Sequence, residues 1–397
     1  MHISTVGYSM STHALIRLGE LLRQVDRSVR VEESSTYRLL GVRLQGNGPF
    51  VREQVSGMET AAVKLNRVEL NDFIYSRLFA WRGAFGVINE DLSGCYVSNE
   101  FPIFVADDFR LDVRYLAYWF RLPSVWRAVE ERCSGSTPTT RNRLKEKHFL
   151  DLEIYLPSKD SQRLVVARID AIAHKIKMLE EHLEAIEQDA ERLLAQRFQE
   201  AIENAPLRPM RDVAPLVRRE IEIDDGCQYT ELGVRSFYKG TFHRRTVFGV
   251  DFSWQTLYEV KSGDLIFSNI MAWEKAISIA RPEDDACVGN HRMLTCEAID
   301  GVMLPGFLFY YFTTEDGFSK IYAASPGTAA RNRTMTARAL MNIEVPVPSV
   351  DVQQDFVLLQ SKILALKSKH AAIREANAAL LPAMLERMFA VEEQSHG

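Results

Sequence analysis

YRLLGVR at 37–43 returns as YTELGVR at 229–235, with five of seven residues identical and a shift of 192. The shift persists outward. LNRVELNDFIYSRLFAWRGAF from Leu65 aligns with LYEVKSGDLIFSNIMAWEKAI from Leu257, pairing Asp72 with Asp264, Ser76 with Ser268, Arg77 with Asn269 and Trp81 with Trp273. YLAYWF at Tyr115 faces FLFYYF at Phe307. With small gaps, SGSTPTTRNR ending at Arg143 matches ASPGTAARNR ending at Arg333, and LDLEIYLPS ending at Ser158 matches LMNIEVPVPS ending at Ser349. Such order and spacing mark an internal duplication, which replaces one active site with two equivalent surfaces as the thing to look for.

Each copy opens with short apolar runs such as FGVI and CYVS in the first and DLIFS and ISIA in the second, broken by Gly, Asp and Asn, a pattern of short strands and turns. Each closes on a long stretch almost without Gly or Pro. Between 161 and 204, Ile169, Ile172, Ile176, Leu179, Leu183 and Ile186 recur at steps of 3, 4, 3, 4, 3 and continue to Ala190 and Leu193, a heptad seam. Leu359, Ile363, Leu366, Ile373, Leu380 and Met384 keep the same rhythm in the second stretch, interrupted by His370 and Asn377. Those two polar residues either fix register or mark local fraying.

At 1.5 Å per residue, roughly 40 helical residues extend about 60 Å, more than an α/β core needs, so each helix reads as a projecting spacer. The fold class expected is mixed α/β. Repeated units occupy 1–158 and 206–349, and long helices at 159–205 and 350–397 pair antiparallel as a coiled coil. Pro206 and Pro209 end the first helix in the linker.

The 397 residues exceed one ordinary core, and 46% hydrophobic with 25% charged residues describes a packed protein. The five cysteines form no CxxC pair, the amino end lacks a secretion signal, and no eighteen apolar residues are contiguous, so a reduced cytoplasmic setting is expected and a membrane is not. A net charge of −5 argues against a histone-like coat for nucleic acid but allows local basic faces.

Neither GxxxxGK[ST] nor GxGxxG occurs, nor the Asn-Pro-Pro-aromatic type of motif of an amino-group methyltransferase, so neither ATP nor S-adenosylmethionine has an obvious seat. Cys287, His291 and Cys296 fit no standard zinc spacing. Asp251 followed by Glu259-Val260-Lys261 fits a loose acid…ExK nuclease arrangement, yet Arg67 and Glu69 stand at the matching places of the first copy. No GxSxG elbow appears. No catalytic or metal-ligating residue is therefore expected in this chain.

The repeated polar residues suit DNA. Arg43 and Arg235 end matching strand-like runs, and Arg77 and Asn269 occupy matching positions. Ser136, Thr137, Arg141, Arg143 and Lys145 in the first copy, and Thr328, Arg331 and Arg333 in the second, fall in or beside matching Gly/Ser/Thr-rich loops. Small residues let backbone approach a phosphate, hydroxyls donate to it, and arginine pairs with phosphate or reads guanine bidentately. A turn whose arginines bridge to the acidic helices accounts for the same residues. The stretches 44–58 and 236–250 differ sharply, which makes Gln45, Asn47, His243, Arg244 and Arg245 candidate base readers. Trp81 and Trp273 read as core residues inside apolar strands.

The layout, with Gly135-Ser136-Thr137, Arg143, Leu150 and Ile154-Tyr155-Leu156-Pro157 echoed by Gly327-Thr328, Arg333, Leu340 and Ile343 to Pro348, resembles the specificity (S) subunit of Type I restriction–modification systems over nearly the whole chain. The family's Pro-Pro-Leu and Glu-Gln signature before the helix is here reduced to Pro157…Gln162 and Pro348…Gln353. The resemblance implies two target-recognition domains, each reading half of a bipartite asymmetric double-stranded DNA site, with the helices as a ruler. It implies two modification (methyltransferase) subunits docked on Glu-rich helix faces (Glu180, Glu184, Glu187, Glu191), and restriction/translocase subunits joining them. S-adenosylmethionine, ATP and Mg2+ would belong to those partners, and this chain would need no cofactor. A self-contained DNA-cleaving or DNA-modifying enzyme and a protein-only coiled-coil scaffold are the alternatives.

Overall fold

The computed structural model describes residues 14–134, 142–252, 256–327 and 333–394. The chain forms two compact units, Met1–His182 with Ala371–Gly397, and Leu183–His370. Two long helices, Lys159–Ile202 and Val350–Gln394, each contribute one part to either unit.

In the first unit a four-stranded antiparallel sheet runs in the order Leu22–Val25, Ile103–Ala106, Phe73–Tyr75, Phe85–Val87. A five-stranded sheet is built around the hairpin Thr36–Val42 and Pro49–Ser56. Its one parallel pairing places Leu39 against Tyr96. Phe73, Ile74 and Tyr75 are all fully buried, because helices cover one face of their strand and the second sheet covers the other. Phe73, Tyr75, Phe85, Phe104, Phe120 and Phe149 form an aromatic core with centroids as close as 4.0 Å (Phe85 and Phe120). Burial of each such ring contributes about 2–3 kcal/mol.

The second unit repeats this. Its antiparallel sheet runs Leu216–Val217, Met293–Cys296, Leu265–Ser268, Ile277–Ile279, and its other sheet is built on the hairpin Gln228–Val234 and Thr241–Phe248. The parallel pairing joins Glu231 to Val288, the repeat equivalents of Leu39 and Tyr96. Both hairpins carry a register irregularity at the same place, between Leu39 and Leu40 in one and between Thr230 and Leu232 in the other. Two units that share even their irregular backbone pairing are copies of one fold.

The long helices pack differently from the heptad reading. Val166, Ile169, Leu183, Leu194 and Phe198 are buried, whereas Ile186 and Leu193 remain 47% and 43% exposed. A 3.5-residue repeat slips about 20° per heptad against a straight 3.6-residue helix, so after several turns the buried face has moved on by one residue. Within the second unit the ring of Phe198 packs tilted against that of Phe356, Glu191 pairs with Lys367 and Glu187 with His370. One number falls as the other rises, so the helices run antiparallel there. His370 lies on the buried face with Nδ1 2.8 Å from Glu187 Oε1, which identifies it with pairing and not with fraying. In the first unit Asn377 Nδ2 is buried and has no hydrogen-bond partner among the described residues.

Trp81 and Trp273 also differ from expectation. Each sits in a short 3-10 turn, Ala80–Arg82 or Ala272–Glu274, half-buried, with its indole N–H donated to Leu78 O or Ile270 O. The strand before each turn ends earlier than the apolar run suggests. Among the described residues no helix is long and apolar enough to cross a membrane.

Candidate nucleic-acid interface

The repeated heptad is explained residue by residue. Tyr37 and Tyr229 accept at their hydroxyls from the N–H of Glu32 (2.9 Å) and Asp224 (3.0 Å). Leu40 and Leu232 enter the sheet core. Gly41 lies beneath the ring of Phe50 and Gly233 beneath that of Phe242, where a Cβ would meet ring carbons at 3.0 and 2.6 Å. Arg43 and Arg235 then lie over those rings, 4.3 and 4.8 Å from the centroids. Both arginines are exposed, but their repetition follows from the hairpin's own construction.

A second repeated device anchors the sheets. Asp72 and Asp264, 1% and 3% exposed, receive Arg27 and Arg219 at 2.5 Å and the main-chain N–H of Glu69 and Lys261. Burial pushes the Asp72 carboxyl above its ordinary value despite the Arg27 hydrogen bond.

The remaining expected contacts divide. Arg77 donates Nε to Glu146 Oε1 at 2.6 Å and its terminal nitrogens to Glu146 and Asn99 O, so its charge is compensated within the fold. Arg143 holds Glu100 Oε1 at 3.0 Å and pairs in a β-bridge with Ser134. Lys145 is exposed immediately before the helix Glu146–Leu150. Arg333 donates to Ser325 O at 3.0 Å and covers the Tyr322 ring at 4.0 Å. Asn269 joins Arg292 O and the Met335 N–H through its main chain, while its side-chain Oδ1 is buried without a partner among the described residues. Ser136, Thr137, Arg141, Thr328 and Arg331 lie outside the described residues.

The stretches that differ in sequence keep one backbone. Gln45 and Gly46 are left-handed (φ 59° and 67°), as are Phe237 and Tyr238 (61° and 56°) at the matching positions. Their N–H groups are held by Arg82 O and Gly83 O in the first unit and by Glu274 O and Lys275 O in the second. That anchoring lets even Phe and Tyr adopt a conformation normally left to Gly or Asn. Gln45 is exposed, and Asn47 returns its amide to Leu44 O at 3.0 Å.

Side-chain chemistry on the second hairpin is unlike that of the first. His243 Nε2 lies 3.0 Å from Asp284 Oδ1 and 3.6 Å from Cys287 Sγ. Asp284 is fully buried and also takes Thr241 Oγ1 at 2.6 Å and the Arg281 N–H at 2.9 Å. Burial works to raise its carboxyl, but the hydrogen bonds from Thr241, Arg281 and His243 outweigh it and hold the pKa below the ordinary value. Carboxylate and thiol approach the same ring nitrogen, and burial pushes the Cys287 thiol up, so this is not the arrangement of an activated nucleophile. Arg245 donates to Glu231 Oε2 at 2.8 Å.

Arg244, next along the strand, is exposed and forms no ion pair among the described residues, and neither does Arg292. Both line a cleft of about 230 Å³ together with Glu231, Ser268 and Asn290. Arg292 escapes the sequence reading because Glu100 holds the matching position and because it lies outside the divergent stretch 236–250. Among the described residues no group of three or more His, Cys, Asp or Glu side chains is placed to hold a metal ion, and Asp251, Glu259 and Lys261 belong to no such cluster.

No protein-family model matches the chain, and no curated protein matches it in sequence. Solved structures do. The HsdS subunit from Thermoanaerobacter tengcongensis superimposes with a TM-score of 0.61 at 15% identity, covering 95% of this chain and 96% of that one. A chain from a structural study of complex assembly and conformational transition of the type I R-M system gives 0.64 at 16% identity, covering 96% and 99%. The chain therefore has the HsdS fold along nearly its full length.

Proposed function

We propose that this chain is the DNA-specificity subunit of a Type I restriction–modification complex. The observation that carries the reading is the pairing of one backbone with two chemistries. Both units share sheet order, parallel register and irregular hairpin, while their exposed hairpin side chains differ, as two readers of different half-sites require. The HsdS fold along 95% of the chain supports it.

In this reading each unit contacts one half of a bipartite, asymmetric target in double-stranded DNA, and the long helices dock two methyltransferase subunits, to which restriction/translocase subunits add. The chain itself catalyses nothing. S-adenosylmethionine, ATP and Mg2+ serve the partner subunits, and the complex works in the cytoplasm.

Gel-shift titration of the purified chain, alone and with candidate methyltransferase subunits, tests the assignment. Selective binding of one split sequence is expected, strongest in the assembled complex. Cleavage or methylation by the isolated chain with metal or methyl donor would establish a self-contained enzyme instead, and absence of DNA binding in every combination would leave a protein-only scaffold. Exchanging residues 15–150 for those of a relative should alter one half of the methylated site and leave the other.

A further inference from the structure

Around one arginine that both units keep, three neighbouring positions differ between them. At the cleft of the second unit Arg244, Arg292, Asn290 and Glu231 stand where the first unit has Arg52, Glu100, Ser98 and Leu39. The cation at 292 is thus an anion at 100, and Glu100 is already engaged by Arg143.

We infer that the Arg244–Arg292 cleft reads a G·C base pair from the major groove, an assignment that rests on the DNA-specificity reading above. The donor set decides the ligand. Two arginines without ion pairs among the described residues offer N–H donors to the two acceptors of guanine, O6 and N7. Glu231 supplies the complement: its Oε2 is held by Arg245, and a carboxylate accepts from the N4 amino group of cytosine. A phosphate oxygen gains nothing from a carboxylate in the same cleft, whereas the edge of a G·C pair presents both acceptors and a donor. The cleft lining includes Leu232, Leu257, Val288 and Met293, each under 10% exposed, which gives the charged side chains a fixed floor. Gly233 permits the approach, since a Cβ there would meet Arg244 Cγ at 3.1 Å.

The test uses the complete complex of this chain with its methyltransferase subunits, the target having been read from the methylation pattern of cells that carry the system. Arg292→Ala and Arg244→Ala are compared with wild type on duplexes altered one base pair at a time, across a range of salt. A loss of roughly 10- to 100-fold on the natural target is expected, with discrimination erased at one G·C pair of one half-site and the other half-site read as before. Arg292→Lys retains the charge, so it should keep the salt dependence and still lose that discrimination. Uniform weakening over all duplexes, with the salt slope reduced by about one, would make these residues phosphate contacts and overturn the inference. Unchanged binding overturns it equally. Failure of the wild-type complex to select any sequence would remove the functional reading as well, a result separate from either.

Discussion

Gln162 and Gln353 make the same three hydrogen bonds, each in the first turn of a long helix. Gln162 accepts from Asp112 N–H at 2.8 Å and donates to Arg110 O and Pro157 O at 2.9 and 2.8 Å. Gln353 accepts from Leu304 N–H at 2.8 Å and donates to Val302 O and Pro348 O at 3.0 and 2.9 Å. Both are fully buried, and each ties a helix start to the loop leading into a shorter helix of its own unit.

Removing either amide strands three main-chain groups, of which the proline carbonyl is buried and the other two half-buried. Gln353→Leu and Gln162→Leu should each destabilise by at least about 2 kcal/mol, as estimated for orphaned buried polar groups. Gln353→Glu should fare little better, because a carboxylate cannot donate to two carbonyls. Urea denaturation measures this, and changes under about 0.5 kcal/mol would deny the glutamines their anchoring role.

The glycine of the repeated heptad should rank its two copies. Gly233→Ala sets a Cβ 2.6 Å from the Phe242 ring and Gly41→Ala sets one 3.0 Å from Phe50. Both displace a ring that carries an arginine, at a cost of about 1–3 kcal/mol. Thermal unfolding should show the larger loss for Gly233→Ala; equal, negligible losses would mean the rings move aside freely.

Glu187 and His370 call for a double-mutant cycle. Replacing either alone by Leu leaves the buried His370 or the half-buried Glu187 facing an apolar side chain, and both single variants should lose stability. The double Leu variant should recover much of it, with a coupling of about 1–3 kcal/mol by denaturant titration. Strict additivity would show that the contact contributes nothing of its own.

Asp284 ties stability to pH. Its carboxyl titrates below the ordinary value in the folded chain, so it stabilises above the unfolded-state value near 4, and that stability is lost as pH falls through the folded-state value. Asp284→Asn should be less stable than wild type at pH 7, and the gap should narrow as pH drops below about 4. Parallel melting-temperature curves from pH 6 to 3 would contradict it.

The duplication and the helical stretches were legible because both rest on identity and period. The 192-residue shift carried through to equivalent strands, parallel pairings and irregularities. The buried faces of the helices were not, since Leu194 and Phe198 replace Ile186 and Leu193 only once the 3.6-residue turn accumulates. Nor was the division of labour among polar residues. The alignment of the copies singled out the repeated Arg43 and Arg235 and the Arg77 that faces Asn269, and the structure uses these arginines on rings and in ion pairs of the fold. Arg292 shows the reverse: no repeat marks it, because what distinguishes two copies cannot be found by asking what they share.

Pro49 lies over Gly86, where a Cβ would come within 2.4 Å of the proline ring, and the matching residues of the other unit are Thr241 and Ser278. The strand bearing Pro49 can therefore be inherited only together with a bare glycine on the neighbouring strand. A gene exchange whose breakpoint falls between codons 49 and 86 would separate that pair and set proline against serine. Hairpin and neighbouring strand therefore form a single unit of exchange, to be moved whole in any engineered chimaera of the two halves.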